Sequence, residues 1–290
     1  MRIAHVIMVH KNPDQLIRLI KRLYHPDADF YIHIDSKSEI GDFESVRSIK
    51  QVSFIKNRIN CNWGGNSLLT GIITAMNEVL SLNKGYNFIN MLSAQDYPIM
   101  SPDKIHSYLK NNLERNFISY ESDDSTWWKQ AAGRYEKYHF TDLDFIGKYF
   151  IERMANIFLP KRKFPIPVKL YGGCKSTWWT ITEDCARYIS SQLSNNKKLN
   201  NFLKFCWGTD EFIVATLIMS SPYKDVTVNN NLRYIDWSEG NARPKLLKMD
   251  DFDDLKHSEM LFARKFDMDV DSAVLERIDQ ELLTLKHTTY

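Results

Sequence analysis

The chain has 290 residues, of which 43% are hydrophobic and 26% are charged, and this balance is typical of a globular protein with a substantial core. Its length favours one large α/β domain, or one domain that carries an insertion. The 38 Lys and Arg residues against 36 Asp and Glu give a formal charge of +2. That charge is too balanced for a protein that holds nucleic acid through its phosphates, so we expect no nucleic-acid partner.

Strand and helix signals alternate along the first part of the chain. Strands are predicted over residues 3–9, 30–34, 53–55 and 86–91, and helices over residues 15–24, 66–81 and 102–113. Asn66 or Ser67 is the expected cap of the second helix, and Pro102 lies in the first turn of the third. Such alternation predicts an α/β fold with a mostly parallel sheet covered on both faces.

The middle of the chain differs, because residues 122–167 show no strand period. They contain an apolar-rich helical stretch, Phe145 to Leu159, which is followed by the basic cluster Lys161-Arg162-Lys163. Apolar helices usually pack against the core, and we expect this one to do so. The alternative is weak peripheral attachment to an anionic membrane surface, since apolar residues beside a basic cluster also suit that role.

Strand and helix signals resume after this segment. A strand is predicted over residues 173–182, helices begin at about residues 183 and 210, and a strand ends within residues 234–237. A final helix is predicted over residues 271–286.

The cysteines and the N-terminal residues bear on the cellular compartment. The four cysteines are widely spaced and match no zinc-ligand interval, so we expect free thiols in a reducing compartment. The apolar run over residues 3–9 is far shorter than a membrane span and has no small-residue cleavage site. We therefore expect a cytoplasmic protein without a membrane anchor, at most peripheral to the inner face of the membrane.

Polar residues follow several predicted strands: His10, Asp35, the Gly64-Gly65 turn, Asp96 and Glu121. Ligands of parallel α/β sheets bind beyond the carboxyl ends of the strands, so these positions are candidates for one site. The GxGxxG and GxxxxGK[ST] patterns of dinucleotide and P-loop sites do not occur, nor do the GxSxG and HExxH patterns of hydrolases. The polar strand ends alone identify no reaction.

Three Asp-x-Asp pairs are candidate ligands of a divalent metal. They are Asp27-Ala28-Asp29, Asp142-Leu143-Asp144 and Asp267-Met268-Asp269. The first precedes a strand, the second lies in the middle segment, and the third is a possible cap of the final helix. We interpret all three as caps and solvated turns, which is the commoner role of paired acids.

The segment from Trp207 to Phe212 is the sharpest local feature. Thr209 is a possible helix cap, with Asp210 and Glu211 in the first turn, and spacing alone favours this structural role. The alternative is that Glu211 projects into a cleft as a general base, kept ionised by the helix N-terminus.

Two basic loops lie near the end of the chain, Arg243-Pro244-Lys245 and Arg264-Lys265. If both face the cleft, Lys245 and Lys265 can bind a diphosphate without a metal. Surface ion pairs are the alternative.

Six motifs, taken in order, resemble the core-2/I-branching β-1,6-N-acetylglucosaminyltransferase family, which includes the peptide O-xylosyltransferases. The resemblance extends from about residue 2 to residue 286. The chain looks like a bacterial-type member of the family without a membrane anchor. Its motifs are His33-Ile34-Asp35-Ser36-Lys37, Trp63-Gly64-Gly65, Ser93-Ala94-Gln95-Asp96-Tyr97-Pro98, Gly172-Gly173-Cys174-Lys175-Ser176-Thr177-Trp178-Trp179, Thr209-Asp210-Glu211 and Leu261-Phe262-Ala263-Arg264-Lys265-Phe266-Asp267.

The resemblance implies one GT-A-type, Rossmann-like domain over residues 1–290. Residues 1–121 would form its nucleotide-binding half, residues 122–167 a helical connector, and residues 168–290 its acceptor and catalytic half. It also implies inverting transfer of a sugar, with GlcNAc or xylose favoured, from a UDP-sugar to a glycan or lipid-linked glycan. No cofactor and no divalent metal are expected.

The resemblance also assigns residues to roles. Glu211 matches the catalytic base, and Lys265 matches one of two basic residues that bind the diphosphate. Lys245 is the favoured second one, with Arg243 open. On the donor side it adds His10 and Asp35. The residues expected on the acceptor side are Asp96, Glu121, Arg134 and, more loosely, Tyr234, Asp236 and Trp237.

One base and two fixed cations suffice for a single displacement, whereas a hydrolase would need a second carboxylic acid across the bond. Two other functions stay open. One is a metal-dependent nucleotide-sugar transferase that uses an Asp-x-Asp pair, and the other is a non-catalytic carbohydrate-binding protein of the same fold.

Overall fold

A seven-stranded sheet forms the centre of the structure, a computed structural model that describes residues 1–283. The strands in chain order are β1 (Ile3–Val9), β2 (Ala28–Ile34), β3 (Val52–Phe54), β4 (Phe88–Ser93), β5 (Asp96–Pro98), β6 (Asn116–Ile118), β7 (Glu121–Ser122), β8 (Tyr171–Gly172), β9 (Thr180–Thr182), β10 (Thr227–Asn229), β11 (Arg233–Ile235) and β12 (Phe262–Arg264). The central order is β10-β6-β9-β4-β1-β2-β3. Within this seven-stranded sheet β9 alone runs antiparallel to its neighbours, so the predicted α/β fold with a mostly parallel sheet is confirmed.

Helices cover both faces of this sheet. They are α1 (Pro13–Leu23), α2 (Glu44–Arg47), α3 (Asn66–Ser81), α4 (Pro102–Lys110), α5 (Thr126–Ala131), α6 (Gly133–Glu136), α7 (Lys148–Phe158), α8 (Glu183–Asn195), α9 (Lys197–Leu203), α10 (Ile213–Met219), α11 (Phe252–His257) and α12 (Ala273–Glu281). Successive strand residues point to opposite faces, so β1 contributes Ile3 and Ile7 to a core shared with α1 and α12. Its residues Ala4 and Val6 belong to the other core, shared with α3, α8 and α10.

Several boundaries in the second half differ from the prediction. The strand predicted over residues 173–182 is replaced by two short strands, β8 and β9, on either side of a turn. The helix expected at residue 210 begins with a 3₁₀ turn, Thr209–Glu211, and α10 itself starts at Ile213. The final helix is α12, and the part predicted over residues 284–286 lies outside the described residues.

The start of α3 is capped by a residue from a distant part of the chain. Neither Asn66 nor Ser67 provides the predicted cap. Instead Asp142 accepts a hydrogen bond from the Ser67 backbone N–H at 2.8 Å and another from the Ser67 hydroxyl at 2.5 Å. A carboxylate at a helix N-terminus satisfies a free N–H group and interacts favourably with the helix dipole, together worth about 1–2 kcal/mol.

Helix α7 contradicts the prediction of a core helix, because none of its residues is buried. Its inward face is polar: Glu152 accepts from the Phe140 N–H at 2.7 Å, and Asn156 exchanges two 2.8 Å hydrogen bonds with the Tyr138 backbone. The extended loop beneath needs partners for its N–H and C=O groups, which explains the polar inner face. The aromatic and aliphatic side chains therefore point outward.

Two further observations concern the helices and the cysteines. Over residues 1–283, no helix combines the length and apolar character that crossing a bilayer requires. All four cysteines are free thiols.

Candidate active site

Three of the quoted motifs meet at one turn of the backbone. The Gly208 N–H donates to the Gly64 carbonyl at 2.8 Å, and the Gly173 N–H donates to the Glu211 carbonyl at 2.9 Å. The 3₁₀ turn that carries Glu211 is thus tied to the loop before α3 on one side and to the turn after β8 on the other. This turn is the candidate catalytic turn.

Two glycines allow these close contacts. A Cβ atom at Gly172 would lie 2.5 Å from the Glu211 carbonyl oxygen, a backbone atom that cannot rotate away. Gly64 has a φ of 74°, and a Cβ there would lie 2.3 Å from the indole nitrogen of Trp207. Both positions require glycine for the catalytic turn to keep its place.

The Glu211 carboxylate is paired with Arg134 at 2.5 Å, and its side chain is only 17% exposed. The Arg134 guanidinium lies over the rings of Trp127 and Trp207, with its central carbon 4.9 Å and 4.4 Å from their centroids. The two indoles hold the cation by cation–π attraction. Arg134, predicted as an acceptor contact, thus directly contacts the proposed base.

Burial raises the pKa of Glu211 to about 7, Arg134 opposes that rise and Asp210 adds to it. This direction is opposite to the one expected under the alternative in which a helix N-terminus keeps Glu211 ionised, because burial is the largest influence on its pKa. Thr209 is not a cap: its hydroxyl donates to the Asn66 side-chain oxygen at 3.1 Å. A carboxyl group with a pKa near neutrality is well matched to accept a proton and release it again.

A buried polar chain lies behind the catalytic turn. Asp210 accepts from the Thr177 hydroxyl at 2.8 Å, and Asp96 forms a 2.9 Å ion pair with Arg264. Asp96 is fully buried and also accepts from the Ser93 N–H at 3.0 Å. Its predicted role as an acceptor contact is corrected on this ground, since the side chain has no exposed surface. Asp96 instead fixes β12, the strand that leads to Lys265.

Cations gather where β12 ends. The Lys265 ammonium group is half-buried, and its pKa is lowered by burial and then by the nearby charges of Arg264 and Arg243. His10, partly exposed after β1, has its pKa lowered by burial, by Lys11 and by Lys265. The charge of Lys265 thus acts on the His10 imidazole, so these two predicted donor-side residues lie within electrostatic range of each other.

Lys245 lies in a different environment from the other cations. Its ammonium group is 2.5 Å from Asp251 and 3.7 Å from Asp236, and the bond to Asp251 raises the pKa of Lys245. Because two carboxylates already balance its charge, Lys245 is poorly placed to offset a diphosphate. Arg243 lies over the exposed Trp63 ring at 5.2 Å, within electrostatic reach of Lys265. Of the two alternatives left open by the sequence, the geometry favours Arg243.

Asp35 shapes the loop after β2. One of its oxygens accepts from the Lys37 N–H at 2.9 Å and the other from the Cys61 N–H at 3.1 Å. The Ser38 hydroxyl in that loop donates to the His10 carbonyl at 2.7 Å. Asp35 is buried, and the loop that it shapes contacts His10 through Ser38. The family resemblance assigned both Asp35 and His10 to the nucleotide side of the site.

Glu121 begins β7 and lies next to Gly173, the residue whose N–H donates to the Glu211 carbonyl. A Cβ atom on Gly173 would come within 3.7 Å of a Glu121 carboxylate oxygen. Burial raises the pKa of the Cys174 thiol, and the charges of Glu211 and Glu121 raise it further. The predicted acceptor residues Glu121 and Arg134 therefore both lie near Glu211.

The aromatic segment assigned loosely to the acceptor does not join them. Asp236 accepts from the Ser238 N–H at 2.7 Å and faces Lys245, while burial and then the charges of Asp254 and Asp236 raise the pKa of Tyr234. Trp237 buries an indole N–H without a partner. Within residues 1–283, no hydrogen bond, ion pair or ring contact connects these three residues to Glu211. The structure therefore does not place them beside the proposed base.

The three acidic pairs have structural partners. Asp29 pairs with Arg2 at 2.8 Å, Asp142 caps α3, and Asp267 pairs with Lys11 at 2.6 Å. The final helix is capped by Asp271 and not by the third pair, since Asp271 accepts from the Ala273 N–H at 2.9 Å. Among the residues that the structure describes, no three His, Cys, Asp or Glu side chains form a group able to hold a metal ion.

Comparison with known proteins places these residues in context. A family model described as Core-2/I-Branching enzyme matches residues 3–260. Xylosyltransferase 1 of Pan troglodytes is 26% identical over 304 residues, covering 97% of this chain and 31% of that protein. Xylosyltransferase 2 of Canis lupus familiaris is 27% identical over 303 residues, with coverages of 97% and 34%. The chain thus spans about a third of the length of these relatives.

Among solved structures, the apo form of mouse Xyloside xylosyltransferase 1 aligns with a TM-score of 0.39 at 9% identity. The alignment covers 90% of this chain and 97% of that one.

Proposed function

The chain belongs to the Core-2/I-Branching enzyme family, and on that premise we propose that it is an inverting glycosyltransferase that works without a metal ion. It would move a sugar from a UDP-sugar to a hydroxyl group of a glycan. The observation that carries this proposal is the buried Glu211 carboxyl, whose pKa is raised to about 7 on a turn tied at both ends.

Glu211 is the proposed general base. In a single displacement, its carboxylate takes the proton of the acceptor hydroxyl as that oxygen forms a bond to the sugar carbon and the bond to UDP breaks. Arg134 stabilises the ionised form before the reaction, and its aromatic clamp fixes the direction of the carboxylate. Such positioned proton transfer contributes about 10²–10⁴-fold in rate.

Lys265 and Arg243 are proposed to bind the diphosphate. Burial and neighbouring cations lower the pKa of Lys265, which means that its charge is incompletely balanced by protein anions. A bound diphosphate would supply the missing negative charge, and the cations would stabilise the charge that develops on the leaving group. His10 and Asp35 border the same space and are proposed to face the nucleotide.

The relatives are named xylosyltransferases, so xylose is the first candidate for the donor sugar and N-acetylglucosamine the second. The proposed acceptor is a glycan or a lipid-linked glycan, contacted by Glu121 and Arg134 beside the base. A cytoplasmic location remains a proposal.

The test compares wild type with Glu211→Gln and with Glu276→Gln, a matched variant on the exposed side of α12. UDP release is measured with UDP-xylose and UDP-N-acetylglucosamine over a panel of glycan acceptors, with and without EDTA. We expect turnover in EDTA, normal activity of Glu276→Gln and a loss of about 10²–10⁴-fold in Glu211→Gln.

Two outcomes would contradict the proposal in different ways. Loss of activity in EDTA that Mn²⁺ restores would favour the metal-dependent alternative. Binding of UDP-sugars without turnover on any acceptor would favour a non-catalytic carbohydrate-binding protein.

A further inference from the structure

Helix α7 and the residues just before it expose many of their large apolar side chains. Its largest exposed fractions are 103% for Ile146, 78% for Phe158 and 68% for Phe150. We define the α7 outer surface as Phe145, Ile146, Tyr149, Phe150, Ile157 and Phe158. Exposed apolar patches of this kind mark interaction sites more often than scattered single side chains do.

The helix has the reverse of the usual orientation. An amphipathic helix at a protein surface normally buries its apolar stripe, yet α7 turns Glu152 and Asn156 inward and binds the backbone of residues 138–140 through them. Attachment of α7 to the protein is therefore polar, and its apolar side chains contribute little to the fold. This arrangement suits a helix whose apolar face is covered by something outside the chain.

Positive charge borders the same surface. Arg153 is exposed, and its spacing from Phe150 and Ile157 places it on the same face of the helix. Lys163 is exposed just beyond the end of α7, and so is Lys161, whose ammonium group pairs with Glu136 at 2.7 Å. The acidic Glu152 is turned inward by its bond to the backbone, and the exposed Asp144 precedes Phe145 at the far end of the surface. Within residues 1–283, Arg153 and Lys163 are thus cations beside the apolar side chains that form no ion pair with an acidic side chain.

This combination distinguishes between two occupants. Arg153 lies at the middle of α7, so a two-fold pairing of α7 with a second copy would bring the two Arg153 guanidinium groups together and oppose association. An anionic bilayer has no such conflict: aromatic rings enter the headgroup region, while Arg and Lys extend their charged ends to lipid phosphates. We propose that the α7 outer surface binds the surface of an anionic lipid bilayer.

Membrane attachment through the α7 outer surface would serve the proposed transfer to a lipid-linked acceptor. The residues 138–140 that α7 binds lie along the chain between Arg134, which contacts Glu211, and Asp142, which caps α3. A bilayer bound to the α7 outer surface would thus be linked by a short stretch of chain to the proposed base, where a lipid-linked acceptor would react. That use rests on the proposed function, whereas the lipid binding itself does not.

Vesicle flotation of the full chain tests the proposal. Phosphatidylcholine vesicles with and without phosphatidylglycerol are compared at low and high salt. We expect flotation with the anionic vesicles at low salt, and its loss at high salt, because each basic side chain contributes about fivefold to partitioning.

Variants locate the contact. Phe150→Ser combined with Phe158→Ser should lower partitioning by more than about tenfold, while Leu82→Ser combined with Leu113→Ser, exposed elsewhere, should not. Arg153→Gln should weaken binding to anionic vesicles by about fivefold, and Lys50→Gln should not. All replaced side chains are exposed, and thermal unfolding verifies the fold of each variant.

Three results would overturn the proposal. They are recovery of the wild type in the soluble fraction with every vesicle, equal flotation of the Phe150/Phe158 variant and wild type, and concentration-dependent dimers that the same two replacements dissociate. None of them depends on sugar transfer, so failure here is distinguishable from failure of the proposed function.

Discussion

Replacing Glu211 with glutamine is expected to remove a pH-dependent loss of stability. Burial raises the folded-state pKa of Glu211 from 4.5 to about 7. Below pH 4.5 the carboxyl is protonated in both the folded and the unfolded chain, so it favours neither. Between 4.5 and about 7 the unfolded chain releases the proton while the folded chain retains it, so the free energy of unfolding falls as pH rises. Above 7 that loss is complete.

The magnitude follows from the difference between the two pKa values. At 1.36 kcal/mol per pH unit, a rise from 4.5 to about 7 corresponds to about 3 kcal/mol. The side chain is only 17% exposed, so solvent screening removes little of this. Glutamine does not ionise in this range. Between these two pH values, the free energy of unfolding of the variant should therefore fall by about 3 kcal/mol less than that of wild type.

Urea unfolding of both proteins at about pH 4.5 and about pH 8 measures this difference directly. Glu276→Gln is the control, since that carboxyl is exposed, and its two free energies should follow wild type. Parallel changes in wild type and Glu211→Gln would show that the Glu211 carboxyl titrates as it does in the unfolded chain, which would refute the assignment of a buried base with a raised pKa.

The remaining predictions concern the surroundings of this base. Arg134→Met should move the acid limb of the kcat/KM pH profile above pH 7, because the cation that opposes the rise in the pKa of Glu211 is gone; an unmoved limb would contradict the pairing. Lys265→Ala and Arg243→Ala should each weaken UDP binding by about tenfold or more in calorimetry. Lys245→Ala should leave UDP affinity unchanged while lowering the urea midpoint, and the reverse pattern would restore Lys245 as the diphosphate ligand. Gly172→Ala should lower turnover by about 10²-fold, with UDP affinity unchanged within a few-fold, because its Cβ displaces the catalytic turn; full activity would show that the turn adapts.

The sequence predicted the elements whose signals are local. Alternating apolar runs gave β1, β2 and β4, and the helices α1, α3 and α8 follow from periodicity between clear turn residues. The six motifs brought Glu211 and Lys265 into one hypothesis. In the structure Glu211 ends the 3₁₀ turn before α10, and Lys265 directly follows β12. These features depend on residues that are close along the chain or have distinctive spacing.

What the sequence missed depends on contacts between distant residues. The cap of α3 comes from Asp142, 75 positions away, and the clamp on Arg134 uses Trp207 together with Trp127, a residue given no role. The environment of Lys245 is set by Asp251 through a turn that motif counting does not describe. Apolar periodicity also shows which face of α7 is apolar but not which way that face points, because the choice was made by Glu152 and Asn156 binding a loop.

Because Asp142 caps α3, hydrogen exchange at the Ser67 amide can report on movement of the connector. The Ser67 amide hydrogen is bonded to a carboxylate that belongs to the connector, so it can exchange with solvent once the connector lifts away, even while the rest of α3 stays folded. Its exchange rate therefore measures how often the connector opens. An acceptor glycan that orders the connector around Arg134 should slow exchange at this one amide, so binding would be visible at a residue that is not itself a proposed acceptor contact.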